Sequence, residues 1–355
     1  MTGHSPAPAG PDEPVLVRRE GRAGHLRLNR PRALNALNHA MVRALATALA
    51  SWEQDDEVAT VVLTGAGERG LCAGGDIRGI HEDVTGGGGA ASAAFWRDEY
   101  RLNARIARFP KPYVAVMDGV VMGGGVGVSA HGDVRVVTER SRVAMPETGI
   151  GFVPDVGGTW LLSRAPGELG THLALTASPV GAGDALLCGL ADHFVPADLL
   201  DSFVGSLAER EAEEAVRRYA EPAPGGKLEG QRGWIDACYA ADSVEEILRR
   251  LRDHGSREAK EAAVTIETRS PTALKVTLES LRRARRLDSL ESTLEQEFRV
   301  SAATLSSPDF AEGVRAQIID KDRTPRWSPA SLPEVSATDV ERHFAPAPAE
   351  LSGQT

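Results

Sequence analysis

Short apolar runs and longer amphipathic stretches alternate along the first half of this chain. Val15-Leu16-Val17-Arg18-Arg19-Glu20 and His25-Leu26-Arg27-Leu28 predict two strands around a turn at residues 21–24. Asn29-Arg30-Pro31-Arg32 breaks that pattern. Asn38 is then placed to cap a helix with apolar positions at Met41, Leu45, Ala48 and Leu49, ending near Trp52. Residues 58–64 are a short apolar run between Asp56 and Gly65, which predicts a buried strand. Residues 83–94 contain Gly86-Gly87-Gly88-Gly89 and are expected to form a mobile loop. A helical pattern over 95–107, a strand at 113–117, the start of a helix at 127–131 and a strand at 134–137 follow.

The repeating order of strand, glycine turn, helix and strand predicts an α/β protein with crossover connections. From residue 169 the pattern turns helical, over 169–175, 182–187 and 199–219. Glu221-Pro222-Ala223-Pro224-Gly225-Gly226 reads as a linker. Charged amphipathic helices are expected over 244–254, 257–268, 271–286 and 290–305. The predicted organisation is a disordered lead over residues 1–13, an α/β core over 14–220, a helical C-terminal region over 221–334 and a flexible tail over 335–355.

The 355 residues are long enough for a sizeable core, and 42% hydrophobic with 25% charged residues is ordinary for a globular chain. A formal net charge of -10 argues against a nucleic-acid or anionic-membrane surface. Three cysteines, Cys72, Cys188 and Cys238, are an odd count without metal-like spacing, so a reduced, cytoplasmic setting is expected. The N-terminus lacks the charged start and apolar core of a secretory signal. No apolar run approaches the ~20 residues that cross a bilayer.

Candidate chemistry gathers between residues 71 and 155. Cys72-Ala73-Gly74-Gly75-Asp76 and Val121-Met122-Gly123-Gly124-Gly125-Val126-Gly127 each join a predicted strand to a predicted helix. A helix N-terminus leaves amide N–H groups unpaired, and glycine lets a ligand oxygen approach them closely. Two such amides clamp the oxygen of a reacting carbonyl; equally, glycines simply allow tight corners. Glu147 and Asp155 lie 8 residues apart with Ile150, Phe152 and Val153 between them. Acids in apolar surroundings have raised pKa values that suit proton transfer. Each could instead cap a helix end. A phosphate-binding loop is excluded by the missing Gly-Lys-Ser/Thr ending, and the glycine spacing fits a dinucleotide fingerprint poorly. No Gly-x-Ser-x-Gly elbow, Ser-His-Asp order or His/Cys cluster stands out, so no metal is expected. His131 and His193 read as buried structural residues, and the arginines within 282–286 as a solvated helix face.

These residues resemble the crotonase (enoyl-CoA hydratase/isomerase) superfamily. The broad resemblance lies in Asn29-Arg30-Pro31-Arg32-Ala33-Leu34-Asn35-Ala36-Leu37, Cys72-Ala73-Gly74-Gly75-Asp76 and Gly123-Gly124-Gly125. Trp96-Arg97-Asp98-Glu99-Tyr100, residues 122–131, residues 145–158 and Asp320-Lys321-Asp322-Arg323-Thr324-Pro325-Arg326-Trp327 are similar to the branch that hydrolyses 3-hydroxyisobutyryl-CoA. Together they cover roughly residues 14–334.

The resemblance implies a spiral of ββα units with a C-terminal α-helical region. It also implies an oxyanion hole from the amides of Gly75 and Gly124, Glu147 as catalytic glutamate, Asp155 as its partner acid and Glu99 lining the acyl pocket. Arg32, Ala33, Leu34, Ala73, Gly75 and Asp76 fall where the superfamily folds around CoA, which is part of the substrate rather than a cofactor. Hydratases of this superfamily carry a second glutamate three residues after the middle glycine of the Gly-Gly-Gly turn. Here that residue is Gly127, which disfavours water addition to a double bond and suits thioester hydrolysis. A place in valine catabolism is implied on the same ground. An enoyl-CoA hydratase or isomerase, and a non-catalytic acyl-CoA binding protein, are the competing expectations. The C-terminal region is expected either to mediate a homo-oligomer or to pack on its own core.

Overall fold

The structure, a computed structural model, describes residues 13–347 and residue 351. The lead expected over residues 1–12 and the end of the expected tail lie outside the described residues. The strands are β1 (Val15–Glu20), β2 (Ala23–Leu28), β3 (Thr60–Gly65), β4 (Tyr113–Met117), β5 (Val120–Met122), β6 (Val134–Val137), β7 (Arg142–Ala144) and β8 (His193–Phe194). One sheet has the order β1-β2-β3-β4-β6-β8, and β5 pairs with β7 in a second. Only β1 and β2 are antiparallel; the other pairs are parallel, as crossover connections require.

Parallel strands are covered on both faces, which explains why β4 is buried at every position. Leu26, Leu28, Val61, Leu63, Ala115 and Met117 face the main core. Ala23, Val62, Val114, Val116 and Val136 face the other way, beneath Phe203, Leu207 and Val216. Isolated bridges Leu37↔Gly75, Gly70↔Gly119 and Cys72↔Val121 stitch successive turns of the spiral together. Gly70 has φ +153°, and a Cβ there would lie 2.2 Å from the Val120 nitrogen, so this crossing needs glycine.

Five helices frame the crossovers: α1 (His39–Glu53), α2 (Ile77–Gly87), α3 (Ala90–Ala107), α4 (Gly124–Gly127) and α5 (Gly158–Ser163). Asn38 caps α1 as expected, its side chain accepting from the Met41 amide. The glycine quartet is not a long loop. Residues 83–94 are mostly helical, and only Gly88 and Gly89, at φ +74° and +84°, form the joint between α2 and α3. Asp83 secures that joint by accepting from the Ser92 amide at 2.8 Å and hydroxyl at 2.7 Å. Left-handed glycines turn the chain without a loop, an outcome that composition does not distinguish from mobility.

Beyond the linker the chain is helical, and these helices pack on its own core. Leu274, Leu281, Leu294, Phe298 and Phe310 share one buried cluster with Leu26, Leu63 and Ala115. Ordered structure continues into the segment expected to be a flexible tail. Ser336 caps the helix Ala337–Arg342 through a reciprocal box with Asp339. Phe344 is buried under the Arg283 guanidinium, 4.0 Å from the ring centroid. The Pro/Ala-rich composition hid these local caps.

Phe298 of the helix Leu290–Thr304 joins the two regions, packing edge-on against Tyr100 at 6.1 Å beside the Arg97 guanidinium. Phe298→Ala is expected to lower unfolding free energy by about 3–5 kcal/mol through the cavity it leaves, measured by denaturant titration.

Candidate active site

The two glycine turns meet at the helix N-termini of α2 and α4. The helix predicted to start near residue 127 begins at Gly124 instead, which makes the turn itself the helix N-terminus. A Cβ at Gly124 would sit 3.4 Å from the Gly75 nitrogen, and one at Gly74 would sit 3.9 Å from the Gly124 nitrogen. The flanking amides are engaged: Gly74 with the Cys72 sulfur, Asp76 with Leu37, Gly123 with Ala144. Those of Gly75 and Gly124 donate to no group among the described residues. Buried amides are nearly always paired, so this pair forms a donor site ready for a ligand oxygen.

Around them lies a cavity of about 60 Å³ lined by Gly75, Gly124, Glu99, Glu147 and Asp155, with Ile77, Ile80, Trp96, Ile150 and Phe152 as its apolar wall. Trp96 stacks on Phe152 at 5.1 Å, and Phe310 of the C-terminal region leans on both. Besides the glycine turns, the chain brings a carboxyl to this cavity from three directions. Glu99 comes from α3, Glu147 opens a 3-10 turn at Glu147–Ile150, and Asp155 precedes α5.

The three carboxyls are 2%, 5% and 5% exposed in that order. Glu99 Oε1 and Glu147 Oε2 have no hydrogen-bond partner among the described residues. Glu147 Oε1 lies 2.9 Å from where a Cβ on Gly123 would be, so the carboxyl abuts the second turn. Burial and the Asp155 charge push the pKa of both glutamates well above the usual range. Burial lifts Asp155 to about 7 against the opposing effect of Tyr100, whose hydroxyl donates to Asp155 Oδ2 at 2.7 Å. Ser301 stands 2.8 Å from the same hydroxyl. Cys72 is no nucleophile here: burial raises its thiol to about 12.

The remaining candidates sit at the rim. Arg32 and Ala33 belong to a 3-10 turn that Leu34 closes at φ 50°, and the Leu34 carbonyl accepts from the Ala73 amide at 3.0 Å. Asp76 is already employed, taking Arg30 Nη2 at 2.9 Å and the Gly79 amide at 3.5 Å. The Arg32 side chain is exposed.

Sequence reasoning gave no role to Tyr100, Ser301, His131 or Glu297. His131, read as structural, donates from Nε2 to the Val156 carbonyl at 2.8 Å, and burial lowers its pKa to about 4, so it acts as neutral imidazole. Glu297 shares the apolar stripe of its helix with Leu290, Leu294, Phe298 and Ser301. A single acid on such a stripe was a legible signal.

Gly127 is tightly enclosed. A Cβ there would lie 2.6 Å from the Val156 Cβ and 3.0 Å from Asn103 Nδ2. The position where hydratases carry their second glutamate has no space for a side chain.

This chain belongs to the enoyl-CoA hydratase/isomerase family, whose model matches residues 23–344. Within it, the chain is 42% identical over 342 residues to the mitochondrial 3-hydroxyisobutyryl-CoA hydrolase of Danio rerio, covering 93% of this chain and 89% of that one. A crystal structure of a carnitinyl-CoA dehydratase from Mycobacterium thermoresistibile superposes with a TM-score of 0.94 at 55% identity, covering 97% of this chain and all of that one. One of an enoyl-CoA hydratase from Rhodobacter sphaeroides gives 0.89 at 43% identity, with 94% and 97% covered. The fold is therefore the crotonase spiral with its C-terminal helical region. No helix among the described residues is long and apolar enough to cross a membrane.

Tyr100→Phe removes a hydrogen bond that favours ionised Asp155, so the pKa of that acid should rise. If Asp155 works as a carboxylate, the acidic limb of the kcat/KM profile starts near pH 7 and moves to higher pH in the variant. A pH-rate profile of both proteins checks this.

Proposed function

We propose that this chain is an acyl-CoA thioester hydrolase that converts 3-hydroxyisobutyryl-CoA and water to 3-hydroxyisobutyrate and CoA, a step of valine catabolism. The observation that carries this reading is a pair of unpartnered amides sharing one cavity with a buried Glu147 whose Oε2 has no partner among the described residues. Two fixed donors stabilise the oxygen that becomes negative when a thioester carbonyl is attacked. The curated relative named as a hydrolase supports the same reading. The solved relatives are named for dehydration and hydration, and the filled space at Gly127 weighs against that chemistry here.

In this mechanism the thioester oxygen lies between the amides of Gly75 and Gly124. Two routes share the geometry. Glu147 attacks the carbonyl carbon, the C–S bond breaks, CoA leaves as its thiol after taking a proton, and water cleaves the resulting anhydride. Alternatively, Glu147 takes a proton from water, whose oxygen attacks directly; the C–S bond then breaks and the proton passes to the departing CoA sulfur. Asp155 orients the water and shuttles the proton. Glu99, held toward its neutral form, donates to the 3-hydroxyl of the acyl group.

CoA enters as part of the substrate, across Arg32, Ala33, Leu34, Ala73, Gly75 and Asp76. Since Ala73 and Asp76 already hold the mouth together, the exposed guanidinium of Arg32 is the group assigned to a CoA phosphate. No separate cofactor belongs to the reading. Three free, buried cysteines support a reducing setting such as the cytoplasm.

Rapid thiol release from 3-hydroxyisobutyryl-CoA, with little loss of the enoyl absorbance of crotonyl-CoA, is the expected outcome. Loss of the enoyl band without thiol release would overturn the reading. Glu147→Gln should lower kcat at least about a thousandfold while leaving CoA-ester binding near its original strength, and oxygen-18 incorporation into Glu147 during turnover distinguishes the two routes.

A further inference from the structure

The turn that presents Asp155 is fastened at three points, and the third is a carboxyl from the C-terminal region. Val156 is a β-branched residue at φ +53°, a conformation that persists only where the surroundings enforce it. Tyr100 fixes the turn at Asp155 and His131 fixes it at the Val156 carbonyl. Glu297 then takes the far side. Its Oε2 accepts from the Gly157 amide at 2.6 Å, and its Oε1 from the Thr159 amide at 2.9 Å and the Thr159 hydroxyl at 2.5 Å. It is 1% exposed and forms no ion pair among the described residues. A buried carboxyl without an ion pair is costly even when hydrogen-bonded, and a simple helix cap on the short α5 could be supplied by a serine or threonine in place. Here the carboxyl spans more than 130 residues to hold a strained turn two residues from a catalytic acid.

We propose that Glu297 is a positioning residue for hydrolysis: it locks the turn 155–159 so that Asp155 and Val156 hold their places beside Glu147, making the site dependent on the helix Leu290–Thr304. This rests on the hydrolase reading above. The groups facing Glu297 are Asp155 and Thr159 from the turn, Tyr100 from α3, and Glu147 from its 3-10 turn. His131 reaches the same turn as a neutral ring, Arg97 of α3 covers the adjacent Phe298, and Glu295 and Arg299 of its own helix pair with each other. All the acids that act on one another here are of one sign. Burial, with the Asp155 charge adding to it, lifts Glu297 itself to about 8, and a charge on Glu297 in turn raises the pKa of Glu147.

The test measures thiol release from 3-hydroxyisobutyryl-CoA across pH for the wild-type chain, Glu297→Gln, Thr159→Val and Thr159→Ser, with folding checked by circular dichroism. Glu297→Gln keeps the shape but loses the charge and the bond to Gly157. It should reduce kcat by about tenfold to a hundredfold with KM changed less than about twofold. Thr159→Val should give a smaller fall in kcat that Thr159→Ser restores. If Glu297→Gln does not fold, the two Thr159 variants decide. A folded Glu297→Gln or Thr159→Val with wild-type kcat overturns the proposal, as does a loss confined to KM. A wild-type chain that releases no thiol overturns the hydrolase reading instead.

Discussion

The constraint on which this site depends is the crowding of carboxyl groups away from water. Glu99, Glu147, Asp155 and Glu297 are all buried, and none is in an ion pair among the described residues. Burial raises the pKa of all four and the Asp155 charge adds to the shift of the three glutamates, so the group retains protons at pH values where isolated carboxylates would have lost them. Such a cluster needs some protons as well as some charge. That combination serves a reaction in which one oxygen must be activated and a thiolate must leave as a thiol. The backbone supplies the complementary positive edge through two helix N-termini, at no cost in arginine or lysine side chains that would hold the acids ionised.

Legibility in the sequence followed the range of the interactions. The hairpin, the buried parallel strands and the cap at Asn38 were readable because each depends on neighbours within a few residues. Gly75, Gly124, Glu147 and Asp155 were readable as candidates, since glycine turns and isolated acids stand out against apolar surroundings. Their convergence was legible only through the family resemblance, because it depends on bridges such as Cys72↔Val121 between successive turns of the spiral. Gly86-Gly87-Gly88-Gly89 misled for a related reason. Composition predicts freedom, whereas the backbone uses two left-handed glycines and the Asp83 side chain to join two helices closely. The tail misled because Ser336 and Asp339 cap a helix inside a Pro/Ala-rich stretch.

The choice between hydrolysis and hydration comes down to packing rather than to the oxyanion hole, which both chemistries use. Gly127 faces Val156 so closely that a glutamate could enter only by displacing the residue next to Asp155. The strained Val156 therefore has two consequences. It fills the space beside Gly127, and it stands next to Asp155 in the cavity lining. Exchanging one chemistry for the other would require rebuilding the turn, not adding one side chain.

That turn also explains why the C-terminal helices cannot be treated as an accessory. A left-handed valine costs on the order of 1–3 kcal/mol, and the local sequence offers nothing to offset it. The offset comes from α3 through Tyr100, from His131 after α4, and from Glu297 on a helix that is distant in sequence. Ser301, one turn beyond Glu297, reaches the Tyr100 hydroxyl, so the same helix acts on Asp155 along two paths. Phe298 between them fixes the spacing by packing against the Tyr100 ring. A displacement of this helix would therefore loosen the turn and the hydroxyl together, which ties the geometry of the acid pair to the docking of the whole helical region.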